Sequence, residues 1–248
     1  MSSRAGTAKV AVDVDQTVAE VLGWLVSEGT EHNRQGMKRY GIVARKIFGV
    51  SVAALRERAK ALGRSHELAE ALWATGWYEA RMLACFVDEP KRVTVEQMER
   101  WALAFENWAD CDTTCFHLFD KTPFAFAMAK AWHDREEELV KRAAFTLLAS
   151  LALHDKKSGD GAFEAGLGFI EGQAGDGRNF VKKGVSWALR GIGRRSVAMH
   201  ARCVALAERL AASKEAPRRW VGKDALRDLM KPAAIAAANR REAKRSSK

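Results

Sequence analysis

Two tyrosines and four prolines in 248 residues, with no long alternation of Val, Ile and Thr, leave little material for a β-sheet. The four cysteines, Cys85, Cys111, Cys115 and Cys203, are too few for a disulfide framework in a chain of this length. Cys111 and Cys115 stand i,i+4 with His117 nearby, yet zinc takes four ligands and no second pair accompanies them. They read as packed core thiols, and no metal or other cofactor is expected. The longest apolar runs, such as AAFTLLASLAL, are too short to cross a bilayer. The opening MSSRAGTAKV has no apolar signal core, so the expectation is a cytoplasmic protein without a membrane partner.

Charge is not lacking. The net value is +10, which points to a polyanionic partner, whether nucleic acid, ribosome or an anionic surface. Part of the excess lies in NRREAKRSSK at the end of the chain, which reads as a disordered basic tail. The body remains basic without it. The expected organisation is a flexible N-terminus over 1–12, one helical domain over 13–232, and a basic tail over 233–248.

Helical periodicity runs through the domain. TVAEVLGWLVSEG, SVAALRERAKALG, SHELAEALW and AMHARCVALAERLAAS repeat apolar residues at three and four positions. Ser51 and Ser65 sit where N-caps belong, Thr94 with Gln97 forms a capping-box pattern, and Gly63 falls at a helix end. The class is all-α. ELVKRAAFTLLASLALHDK and NFVKKGVSWALRGIG match about Lys141 and Lys182. A spacing of roughly 40–47 residues is that of HEAT and armadillo-like helix pairs, which stack into an α-solenoid with a concave face. An irregular helical bundle satisfies the same periodicities.

AFENWADCDTTCFHLF places two acids among apolar residues. If Asn107 caps a helix beginning at Trp108, Asp110 falls at the third position, where a short acid satisfies free backbone N–H groups. Asp112 lies i+4 from Trp108, on the same face near the helix's positive end. Arg142 adjoins an apolar stripe and calls for an anionic partner. Trp187 is flanked by Lys182, Lys183 and Arg190, a surface suited to a base or sugar beside phosphates. Singly, these residues read equally as solvated charges and a core indole. His154 to Lys157 reads as a helix end with cationic capping, and GQAGDGRNF as a turn, since no strand precedes it.

The trio NWADCD, VKRAAF and KKGVSWALR resembles the signature of the AlkD-like DNA glycosylases, the DNA alkylation repair family of HEAT-like repeat proteins. GMKRYGIVARKIFGV resembles that family's N-terminal segment, and the likeness runs from about residue 30 to 230. The resemblance implies hydrolysis of the N-glycosidic bond of N3- or N7-alkylated purines in double-stranded DNA, with a concave basic face gripping the backbone and the base not fully inserted. It implies Asp112 as the catalytic carboxylate, Trp108, Trp187 and Tyr40 at the lesion and sugar, and Arg142, Lys141, Lys182, Lys183 and Arg190 at DNA phosphates. It also implies a monomer associated with the nucleoid through DNA. Many relatives carry paired tryptophans where this chain has Asn107 and Trp108. The alternative is a non-catalytic HEAT-like module that binds DNA or another protein.

Overall fold

Short polar side chains start several of the helices. In the computed structural model, which describes residues 13–246, the Ser51 hydroxyl accepts from Ala54 N–H, Ser65 from Leu68 and Thr94 from Gln97, each meeting an N–H that the first turn leaves free. Gly63 ends its helix at φ 76°, where a Cβ would be strained. Every helix or strand found among the described residues is helical, and none is long and apolar enough to cross a membrane. The segment expected to be flexible, 1–12, lies outside the described residues, as do 247–248.

Where the sequence reads as one domain, the described residues group into two compact units, 13–40 with 45–88, and 41–44 with 89–246. The first holds α1 (Val14–Glu28), α2 (Glu31–Arg39), α3 (Val52–Leu62), α4 (His66–Ala74) and α5 (Tyr78–Val87). A buried acid organises it. Glu79, on α5, is 0% exposed and accepts the backbone N–H groups of Phe48, Gly49 and Val50 at 3.0, 2.6 and 3.2 Å. These bonds offset the desolvation of the carboxylate and pin the segment that leads into α3. Gly49 is required there: its φ is 87°, and a Cβ would fall 2.4 Å from Thr30 O.

The second unit runs through α6 (Val95–Leu103), α7 (Trp108–His117), a 3₁₀ turn at Phe119–Lys121, α8 (Ala125–Trp132), α9 (Glu138–His154), α10 (Gly161–Gln173), α11 (Asn179–Ile192), α12 (Val197–Ala211), α13 (Ala216–Leu229) and α14 (Pro232–Ser246). Its axis is α9, buried without a break from Val140 to Ala152. A helix buried on all sides must be covered on all sides, and α6, α7, α8, α10 and α11 cover it. Phe145, Leu147 and Leu148 are at most 2% exposed, each contributing about 1.5–3 kcal/mol by leaving water. α13 packs on α11 and α12. Gly222 permits this, since a Cβ there would lie 2.2 Å from Ala211 N and 2.5 Å from Ala207 O.

The stretch expected to be a disordered tail is helical to Ser246. Its alanines favour helix, and Arg241 donates to the carbonyls of Ala152 and Leu153 at the end of α9. Those carbonyls have no partner within their own helix, so the basic side chain satisfies them and docks α14.

Candidate functional site

The start of α7 separates the roles of its two acids. Asn107 Oδ1 accepts from Ala109 and Asp110 N–H at 2.9 and 3.2 Å, and Asp110 returns the favour to Asn107 N–H at 3.2 Å and to Glu106 N–H at 2.9 Å. This reciprocal capping box occupies Asp110, which is buried. Asn107 also reaches Val43 O at 3.3 Å, so the residue before Trp108 is a structural cap. One face of α7 then presents Trp108, Asp112 and Phe116 at i, i+4 and i+8. Trp108 is half-buried at the first helical position. Cys111 and Cys115 point into the core, 0% exposed, and burial pushes both thiols up.

Asp112 meets α9. Arg142 Nε donates to Asp112 Oδ1 at 2.9 Å and Arg142 Nη2 to Oδ2 at 2.7 Å, while Thr146 Oγ1 donates to Oδ1 at 3.1 Å. Arg142 Nη1 is held by Phe180 O at 2.7 Å. The anionic partner that Arg142 required is therefore Asp112, and its guanidinium is fixed inside the protein. The side chains are 7% and 14% exposed. Burial lifts the Asp112 carboxyl above its ordinary range although Arg142 and Thr146 pull it down. Burial opposes the charge on Arg142, and Asp112 outweighs it, holding the guanidinium above its usual value. A carboxylate offers about four lone-pair sites. Oδ1 uses two and Oδ2 one, so Oδ2 retains capacity for a water or a substrate hydrogen.

Beyond Arg142 lies an open cavity of about 320 Å³ lined by Arg142, Lys183, Trp187, Arg190, Trp220 and Asp224. Two helical stripes build it: Lys183, Trp187 and Arg190 on α11, and Trp220 and Asp224 on α13. Trp187 stacks on Phe116 with centroids 4.9 Å apart and planes 11° from parallel. That contact is worth about 0.5–1.5 kcal/mol beyond area burial and ties α11 to the Asp112 face. Lys182 Nζ sits 5.1 Å from the Trp220 ring centroid. Lys183 is exposed, and Arg190 Nε stands 3.9 Å from Asp224 Oδ2.

Lys141 is placed otherwise than the sequence reading has it. It is 8% exposed, with Nζ 3.0 Å from Gln173 Oε1 and 3.3 Å from Asp176 Oδ2, so its charge is answered within the unit rather than by phosphate. Tyr40 belongs to the first unit, where it closes α2 with 76% exposure. His154 closes α9, its Nδ1 2.5 Å from Asp120 Oδ2 and its ring edge-on to Phe116. Sequence reasoning missed Thr146, Phe116, Trp220 and Asp224. Helical spacing carries the first two, one turn from Arg142 and from Asp112. Trp220 has the same signal as Trp187, an indole among cations in RRWVGK.

The chain is similar to proteins of known sequence and structure. An uncharacterised protein of Listeria innocua is 30% identical over 98 residues, and one of Listeria monocytogenes is 28% identical over 98 residues. Each alignment takes in 38% of this chain and 44% of the relative, so the chain spans under half the length of the curated relatives it matches. Among solved structures, one from "a new family of proteins related to the HEAT-like repeat DNA glycosylases with affinity for branched DNA structures" superposes with a TM-score of 0.68 at 21% identity, over 85% of this chain and 94% of that one. The shared fold is the HEAT-like helical repeat. The family model described as DNA alkylation repair enzyme matches residues 23–229, and the chain belongs to that family.

Proposed function

We propose that the protein is a DNA glycosylase that releases N3- or N7-alkylated purines from duplex DNA, with Asp112 as the catalytic carboxylate. The observation that carries this reading is the setting of Asp112: fixed by Arg142 and Thr146, open at Oδ2, and joined through Arg142 to a cavity of indoles and cations. An alkylated purine of this kind is already cationic, so it leaves without the general acid that ordinary glycosidases need. The glycosidic C–N bond breaks with its electron pair passing to the purine, cancelling that charge. Water adds to the deoxyribose carbon, and its proton departs by way of Asp112 Oδ2.

Charge arithmetic sets the scale. A carboxylate about 4 Å from the growing sugar cation, at an effective dielectric near 20, contributes about 4 kcal/mol. Arg142, on the far side at about 7 Å, opposes with roughly 2.4 kcal/mol. The balance, about 2 kcal/mol, is roughly thirtyfold in rate, and an indole face beside the cation adds about 0.5–2 kcal/mol. Lys183 and Arg190 are the side chains suited to the flanking phosphates.

The test is release of free N7-methylguanine from methylated duplex DNA by wild type and Asp112→Asn. The expected result is release by wild type and a loss of at least about thirtyfold in the variant; equal rates would take Asp112 out of the mechanism. The direct neutralisation of Asp112 by Arg142 favours a second reading, a binder of structured DNA without turnover, in keeping with the branched-DNA affinity named for the solved relative. Wild type would then bind a four-way junction and release no base.

A further inference from the structure

The C-terminal end of α9 gathers more positive charge than the helix needs. Arg241 Nη1 and Nη2 donate to Ala152 O and Leu153 O, and Lys156 Nζ donates to Leu153 O. Arg195 Nη1 donates to Asp155 O at 2.9 Å and its Nη2 to Ser158 O at 2.7 Å. A helix end carries about half a negative charge, which buried Arg195 and Arg241 already answer. Lys156 and Lys244, both exposed, come in addition. Burial, and then Arg241, Arg195 and Lys244, press the Lys156 ammonium below its usual value against the pull of Asp155. The neighbouring acids are engaged elsewhere. Asp155 Oδ1 accepts from the N–H groups of Lys157 and Ser158 at 2.8 and 2.9 Å. Asp160 accepts from Ser196 Oγ and stands 3.7 Å from Arg195 Nε. Among the described residues, Lys156 and Lys244 enter no ion pair.

Crowded cations of this kind repel one another, and a polyanion laid across them relieves the repulsion. The cluster adjoins the Asp112 face. His154, at the same end of α9, is held by Asp120 and lies edge-on to Phe116, which stacks on Trp187. Thr146, which holds Asp112, precedes His154 by eight positions, about 12 Å along the helix. Phosphates on one DNA strand follow at about 3.4 Å along the axis, so this separation corresponds to about three or four base pairs. An acidic protein segment would also answer the charge. Continuity with a face of indoles and cations favours DNA.

We propose that Lys156 and Lys244, brought together where α14 docks on the end of α9, bind the phosphate backbone of DNA flanking the site at Asp112. The last helix of the chain is then part of the DNA-binding surface. The inference rests on DNA as the ligand, which the glycosylase and the binder readings share, and requires no turnover.

The experiment measures affinity for a labelled mixed-sequence duplex, by anisotropy, between roughly 50 and 200 mM salt. It compares wild type, the double variant Lys156→Ala with Lys244→Ala, and a control, Lys130→Ala with Arg209→Ala. The control removes equal charge from exposed positions on α8 and α12. Each phosphate contact contributes about 0.9 to the slope of log affinity against log salt. The lysine variant is therefore expected to lose about 1.8 from the slope, so that its deficit against wild type narrows about twelvefold across that range. The control is expected to keep the wild-type slope. An unchanged slope in the lysine variant overturns the proposal and leaves the two side chains as caps of α9 or as contacts for an acidic protein. An equal fall in the control overturns it as an effect of overall charge. Weaker binding with an unchanged slope is a folding defect and counts against it equally. Wild type without affinity for the duplex removes it together with both readings of function. Release of N7-methylguanine is measured on the same wild-type preparation. Slope loss without release sinks the glycosylase reading alone, and release without slope loss sinks this one alone.

Discussion

The pair formed by Asp112 and Arg142 makes a quantitative claim on stability. With side chains 14% and 7% exposed and bonds of 2.9 and 2.7 Å, the two charges attract by about 4 kcal/mol at an effective dielectric near 20. Asp112→Asn leaves the Arg142 guanidinium buried with Phe180 O and at most one amide oxygen, and turns an N–H₂ toward its donors. Removing one partner of such a pair costs about 3–5 kcal/mol. Arg142→Gln strands a carboxylate in the same place at a similar cost. The double variant has no buried charge, so its cost is expected to fall short of the sum of the two by about 2–4 kcal/mol. Urea titrations of the four proteins at pH 7 give that coupling directly. Acid adds a second handle. Burial already lifts the Asp112 carboxyl, and loss of Arg142 lifts it further, so its folded pKa exceeds the unfolded one. The folded state then takes up the proton first, and the extra stability is present at low pH and lost as pH rises through the folded pKa. The deficit of Arg142→Gln should therefore shrink as pH falls from 7 toward 4. A coupling under about 0.5 kcal/mol, the level of independent sites, would refute the bidentate pair as described.

Two further expectations use other charges. The Arg178 guanidinium holds Asp176 down to about 2 from an ordinary 3.8, against the opposing effect of burial, with Lys141 adding to the pull. Its contribution, on the order of 2 kcal/mol, is present above pH 4 and lost as pH falls through about 2; the stability difference between wild type and Asp176→Asn should therefore close between those values, and a constant difference would contradict it. Lys183→Ala should reduce the slope of log affinity against log salt by about 1 on duplex DNA. Lys141→Met, in contrast, should lower the urea midpoint and leave that slope intact, and the reverse pattern would mean that the buried lysine faces DNA.

The helices and their caps were legible in the sequence because they depend on neighbours within a few residues. Ser51, Ser65, Gly63 and the Asn107 box act as their local spacing requires, and Thr94 caps its helix through the Gln97 N–H without a reciprocal box. Burial was not legible, since it is set by elements distant in the chain. Lys141 and Lys182 hold matching places in a repeated pattern, yet α9 is enclosed and α11 is not, so one lysine meets Asp176 and the other lies over Trp220. The chain end looked unstructured by its charge, and becomes ordered through carbonyls on α9 more than eighty positions earlier. Trp108, Asp112, Arg142 and Trp187 stood out as unusual residues. The partners that finish the arrangement, Thr146, Phe116 and Asp224, are unremarkable letters whose role exists only once three helices lie side by side.

The enclosure of α9 constrains how such a protein changes its preferences. Arg142 and Thr146 grow from a rod wrapped on every flank, so any altered volume there propagates into the whole interior. The outer margin, where Trp108 and Trp220 are only half covered, tolerates exchange of one side chain for another. Diversification toward new ligands should therefore rewrite the rim while the acid and its clasp stay in place.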